Sequence, residues 1–288
     1  MNPVAPPRRI VLCVDDCGLH DDIDAAALML ADAGRASACS VLVDGPSWPR
    51  LASALRERAR GALEVGLHVN LTQALSADMP AQPLPRLLLG ACMHLLDRAR
   101  LRDALRGQLD RFERALQRPP DFVDGHQHVH QLPVVRDALL QVLGERRDAR
   151  VRGEPPWLRI GVAPRWTSAQ RPGASSRLKA GVIRLLGAGA LAGAARRGGW
   201  PTNHALLGVR ALRADAAALR RDAIAWLAAA RDGDVWMAHP ACAGAAADPL
   251  RAARECEFAL LSSDAFGEEL ARARVQIAPM CAIARRGA

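Results

Sequence analysis

The chain has 288 residues, half of them apolar, and a formal net charge of +9 in which Lys179 is the only lysine. A chain of this size buries about three-quarters of its unfolded surface, and its composition excludes both a disordered polypeptide and a small disulfide-stapled one. The arginine excess invites an acidic partner, yet most arginines recur at helical spacing among Ala and Leu, and with no Tyr and four Phe there is little for bases to stack on, so no nucleic-acid partner is expected.

RIVLCV (9–14) reads as a buried strand that runs into the pair Asp15 and Asp16 and then Gly18. DDIDAAALMLADAG (21–34) has helical spacing and a glycine stop; ACSVLVDG (38–45) is a second strand, LASALRERARG (51–61) a second helix and ALEVGLHVNL (62–71) a third strand. A proline-rich loop, ADMPAQPLPR (77–86), precedes helical stretches at 84–99 and 101–118. DFVDGHQHVH (121–130) is the next strand, with Pro133 in the first turn of the helix at 133–149. WLRIGV (157–162) is a short apolar run, and residues 171–199 hold one helix and a surface excursion. A helix at 215–233, the strand DVWMAHP (234–240), one helix at 254–266 and the strand VQIAPM (275–280) complete the pattern. Alternating strands and helices argue for one α/β domain over 1–288, with mostly parallel strands and polar residues gathered at their downstream ends.

Seven cysteines without a CxxC pair indicate neither a redox dithiol nor a cysteine zinc cage, and reduced thiols in a cytoplasmic protein are expected. The apolar run near the N-terminus meets Asp15 too soon for a signal peptide. LLLGACMHLL (87–96) and LLGAGALAGA (185–194) are too short to span a membrane, so no transmembrane segment is expected. The cluster Arg146, Arg147, Arg150 and Arg152 is the best candidate for an anionic contact.

Consecutive strand residues face opposite ways, so Asp15 and Asp16 share a pocket only if the backbone turns sharply, as Gly18 permits; otherwise one of them is a helix N-cap. His126, His128 and His130 stand two residues apart and, in an extended strand, lie on the same face as Asp124; one or two of them could reach a metal, with Asp124 orienting a ring. His68 closes another strand, and parallel packing would bring Asp16, His68 and His126 to one end of the sheet, a carboxylate and two imidazoles suited to Zn²⁺ in a hydrolase. His239, at a further strand end, stands outside that set as a candidate proton donor. His20, His94 and His204 lack comparable partners. There is no Walker motif, nucleophile elbow or dinucleotide fingerprint.

In motif order the chain resembles the YdjC-like carbohydrate deacetylases, which include chitooligosaccharide deacetylases and hopanoid-associated relatives. The resemblance runs through VLCVDDCGL (11–19), SACSVLVDGPSW (37–48), VGLHVNLT (65–72), PDFVDGHQHVHQLP (120–133) and VWMAHPA (235–241). It implies a distorted (β/α) barrel, TIM-barrel-like, often paired as a homodimer. It implies one divalent ion, Zn or Mg, on Asp16, His68 and His126, with Asp15 as general base and His239 as general acid. It also implies Arg152 and His128 near an N-acetylated carbohydrate or glycolipid. Cys13 and Cys17 stand where the family usually has Asn and Phe, and the match is weaker in the carboxyl half. The residues alone also admit hydrolysis of another amide or a phosphate ester, or a nonenzymatic carbohydrate- or polyanion-binding protein.

Overall fold

The computed structural model describes residues 6–58, 61, 63–76, 81–149, 154–166, 171–244 and 247–284. Strand β1 (Arg8–Cys17) leads into α1 (Asp21–Asp32), β2 (Ala38–Val41), α2 (Trp48–Glu57) and β3 (Glu64–Val69). Two helices follow, α3 (Leu84–Cys92) and α4 (Arg98–Leu116); the latter is capped by the Asp97 carboxylate, which accepts from the Ala99 and Arg100 amides. Next come β4 (Phe122–Gly125), α5 (Val135–Asp148), β5 (Trp157–Leu158), α6 (Ala174–Ile183) and α7 (Gly189–Arg197). The chain then forms β6 (Leu206–Leu207), α8 (Ala216–Ala229), β7 (Val235–Ala238), α9 (Arg251–Leu261), α10 (Asp264–Ala273), β8 (Val275–Ile277) and α11 (Met280–Ala284).

The strands make one sheet in the order β5-β4-β3-β2-β1-β7-β6, with β8 added to the start of β1. Every strand pair is parallel. The sheet curls until its edges meet: the Leu158 amide donates to the Pro201 carbonyl at 2.8 Å, and the Leu206 amide to the Val162 carbonyl at 2.8 Å. This is the distorted (β/α) barrel that the family resemblance implied, with the parallel strands that the order of elements implied.

Both faces of the sheet are buried, and the residues divide between them by parity. Ile10, Leu12, Val14, Cys39, Val65, Leu67, Val123, Leu158 and Trp236 pack outward against the helices. Val11, Cys13, Ala38, Phe122, Trp157, Val235 and Met237 fill the interior. Two residues further along each strand, the same inward parity places Asp15, Ser40, Asp124, Arg159 and His239, and on β3 His68. Apolar side chains therefore plug the barrel and polar ones crown it at the downstream end, where parallel barrels build their sites.

Several elements differ from the sequence reading. The segment 121–130 is not an extended strand: β4 ends at Gly125, and His126–Gln131 form a 3₁₀ turn with Gln127 (φ 53°) and His128 (φ 60°) in the left-handed region. The three histidines therefore do not share a strand face. Helix α5 starts at Val135, after Pro133 rather than on it, and the single helix expected at 254–266 is split between α9 and α10 at Ser262 and Ser263, whose hydroxyl caps α10. Residues 171–199 contain two helices joined by a π turn, Arg184–Ala188. The resulting segment Ala174–Arg197 is, by length and composition, long enough and apolar enough to cross a membrane, which the shorter run 185–194 read alone did not reveal.

Candidate metal centre and hydrolytic site

The acidic pair is brought to one cleft by a local departure from strand geometry. The register of β1 against β2 slips between Val14 and Cys17, and Asp16 itself is left-handed at φ 62°. Asp tolerates that region better than most residues, and the turn swings the Asp16 carboxyl away from the helix layer toward the side that Asp15 already faces. Gly18 (φ 91°) completes the turn; a Cβ there would lie 2.6 Å from the Leu42 carbonyl oxygen.

Asp16 Oδ1 lies 2.9 Å from His126 Nδ1 and 3.4 Å from His68 Nε2, and the three residues' ligand atoms all fall within 4.8 Å of one another. Burial opposes ionisation of Asp16, but His126, His68 and Arg254 hold its carboxyl well below the usual range. Its other oxygen accepts from Arg254 Nη2 at 2.7 Å, and Arg254 Nε donates to Asp248 at 2.6 Å. His68 is oriented from behind: its Nδ1 lies 2.6 Å from Asp124 Oδ1, which also accepts from the Ser40 hydroxyl at 2.5 Å. Burial works against a charge on His68, yet Asp124 pushes its pKa up to about 10. An ion shared by Asp16, His68 and His126 would compete with protons for these same ligand atoms. His126 Nε2 is buried without a hydrogen-bond partner. One anionic oxygen and two imidazoles, one of them backed by a carboxylate, fit a divalent metal.

Beside this cluster, Arg159 forks onto Asp15, donating to Oδ1 and Oδ2 at 2.7 Å each, and also lies 2.6 Å from Asp124 Oδ2. Cys13, Asp15 and Asp124 also bring ligand atoms together, but the guanidinium neutralises both carboxylates and burial raises the Cys13 thiol, so these groups do not suit a second cation. The Cys17 thiol is likewise raised, by hydrogen bonding to Cys39 and by burial. Neither cysteine is a ready nucleophile.

His239 Nε2 lies 3.9 Å from Asp15 Oδ2, and its backbone amide donates to Glu257 at 2.6 Å. Burial pushes the His239 imidazole down to about 4 despite Asp16 and Asp15 nearby. His128 is buried on the same cleft and burial lowers it well, whereas His130 points behind it, with Nε2 2.7 Å from the Arg159 carbonyl. The cleft, about 480 Å³, combines these polar groups with Leu19, Leu84, Val182, Ile183 and Leu186.

The structure thus brings together Asp15, Asp16, His68, His126, His128 and His239. Arg150 and Arg152 lie outside the described residues. Arg146 and Arg147 are not a free anion-binding patch: Arg146 pairs with Asp110 and Glu113, and Arg147 stacks 4.5 Å over the Trp200 ring. Sequence reasoning missed Ser40, Arg159 and Arg254. A signal for Arg159 was present, since an arginine inside the apolar run 157–162 must find a buried anion; nothing local to α9 pointed to Arg254.

The family model for YdjC-like protein matches residues 9–272. The carbohydrate deacetylase of Mus musculus is 32% identical over 152 residues, covering 48% of this chain and 48% of the relative. That of Homo sapiens is 31% identical over 152 residues, covering 48% and 46%. The chain thus matches about half the length of these curated relatives. Among solved structures, one from Enterococcus faecalis V583, described as a candidate cellobiose-phosphate cleavage protein, superposes with a TM-score of 0.64 at 15% identity, covering 96% of this chain and 99% of that one, a likeness of fold.

Proposed function

The chain belongs to the YdjC-like protein family, and on that footing we propose that it hydrolyses the N-acetyl group of a carbohydrate or glycolipid with the help of one divalent ion, releasing acetate. The observation that carries this reading is the convergence of Asp16, His68 and His126 ligand atoms within 4.8 Å of one another, beside a carboxylate and an imidazole that take no part in that set. The donor set favours Zn²⁺, since Mg²⁺ prefers more oxygen than one carboxylate provides. Bound there, such an ion supplies Lewis-acid polarisation of the acetyl carbonyl and makes water more acidic.

Asp15 is the base. Its fork with Arg159 fixes both oxygens, and each carboxylate oxygen keeps a lone pair for the proton of an attacking water. His239 is the acid. Because burial keeps its imidazole neutral at rest, the proton it gives to the departing nitrogen must first reach it, and Asp15 Oδ2 at 3.9 Å is the neighbouring source. His128 and the apolar wall bound the space left for the sugar.

Metal analysis of untreated protein, combined with an acetate-release screen over chitooligosaccharides and N-acetylated glycolipids, tests the reading. Asp15→Asn should lower kcat by roughly 10²- to 10⁴-fold while metal content is unchanged, whereas Asp16→Asn and His126→Ala should lose the metal. Normal turnover in Asp15→Asn, or phosphate released in place of acetate, would overturn it.

A further inference from the structure

The net charge of this protein is concentrated in one part of the chain. Residues 155–214 contain ten arginine and lysine residues and no aspartate or glutamate, so the remainder of the +9 chain is close to neutral. Arg159 is held by Asp15, and Arg210 lies 3.3 Å from Glu257. Arg177, Arg184, Arg196 and Arg197 are exposed and have no acidic partner among the described residues.

The same segment presents apolar side chains to solvent. Leu178 is 72% exposed, Val182 49% and Leu185 86%, at spacings of four and three residues. This strip borders the cleft, since Lys179, Val182, Ile183 and Leu186 line it together with His126 and His128. The opposite side of the helical segment is fixed to the body of the protein by buried Ile183, Ala188, Leu191 and Ala195. At the π turn, Gly187 (φ 110°) rests on the 3₁₀ turn that carries His126; a Cβ at 187 would lie 2.3 Å from the Gln131 carbonyl oxygen.

We propose that Ala174–Arg197 is an interfacial anchor that seats the protein on an anionic lipid bilayer, with the mouth of the cleft turned toward the lipid. Exposed leucines flanked by unpaired arginines are the composition of a helix that lies in the plane of a membrane interface. A transmembrane disposition is disfavoured because one side is packed into the protein and Arg177, Lys179 and Arg184 interrupt the segment. A second copy of this chain is a poorer occupant: a two-fold contact sets the same patch against itself and would oppose unpaired arginines to one another. Nucleic acid is poorer still, as residues 174–197 contain no aromatic side chain. If the deacetylation reading above also holds, an acetamido sugar displayed on a lipid lies at the cleft entrance.

Co-sedimentation of the full chain with phosphatidylcholine vesicles, with and without phosphatidylglycerol, tests the anchor. Binding is expected only to the anionic vesicles and should weaken as salt is raised. The double variant Leu178→Ser/Leu185→Ser, which removes exposed side chains outside the cleft, should bind roughly tenfold or more weakly, and Arg177→Ser/Arg184→Ser should lose most of the salt-dependent part. Acetate release from a soluble N-acetyl sugar should be unchanged in both. Equal sedimentation with and without phosphatidylglycerol, or a homodimer in solution that dissociates in Leu185→Ser, would overturn the proposal. Vesicle binding without acetate release would leave the anchor standing and remove only the enzymatic reading.

Discussion

Arg159 stands between two buried carboxylates, in direct contact with both Asp15 and Asp124. Burying this group costs several kcal/mol that only its partners offset, so Arg159→Met should destabilise the fold by about 3–5 kcal/mol in urea unfolding. Arg159→Lys keeps the charge but not the fork, and should fold better than Arg159→Met while lowering kcat more than it raises KM. His130 offers a second test. Burial lowers its pKa to about 4, so between the unfolded value of about 6.5 and that figure the unfolded chain binds a proton that the folded chain refuses. Its contribution is therefore fully present above about pH 6.5 and lost as pH falls through about 4. His130→Gln, which can still donate to the Arg159 carbonyl, should show a shallower loss of stability over that window; an unchanged slope would mean that His130 titrates normally.

At the level of elements, the turn from β1 into α1 does most to set the site. Gly18 is left-handed and its missing Cβ leaves room for the Leu42 carbonyl, so Gly18→Ala should cost about 1–3 kcal/mol and should also weaken metal binding, because Asp16 belongs to the same turn. Asp97→Ala, which removes only the cap of α4, should cost about 1 kcal/mol and leave metal binding intact. Comparing the two by urea unfolding and metal titration separates general weakening from displacement of Asp16. The 3₁₀ turn at His126–Gln131 works similarly on the other side of the proposed ion site: left-handed Gln127 and His128 break the strand alternation, letting His126 face Asp16 while His130 supports Arg159 from behind.

For the whole molecule, the proposed metal, held by residues from β1, β3 and the turn after β4, would tie together segments far apart in sequence. Saturating Zn²⁺ at about 100 times its dissociation constant should add about 2.7 kcal/mol of stability. Chelation should lower Tm by the corresponding amount, and Asp16→Asn should show no such difference; an identical Tm with and without chelator in the parent protein would rule out the shared ion. The parallel (β/α) order and the carboxylate and histidines at the strand ends were legible in the sequence, because apolar runs separated by helical spacing and closed by polar residues are local patterns; which strand residues face inward was not, since runs apolar on both faces carry no alternation. Tertiary structure alone decided that Asp16 leaves the strand register, that the histidine run bends after Gly125, and that Arg159, Arg254 and Ser40 close around the carboxylates. Those outcomes depend on which buried charges meet across the barrel, a matter of long-range electrostatic compensation that neighbouring residues in the chain do not encode.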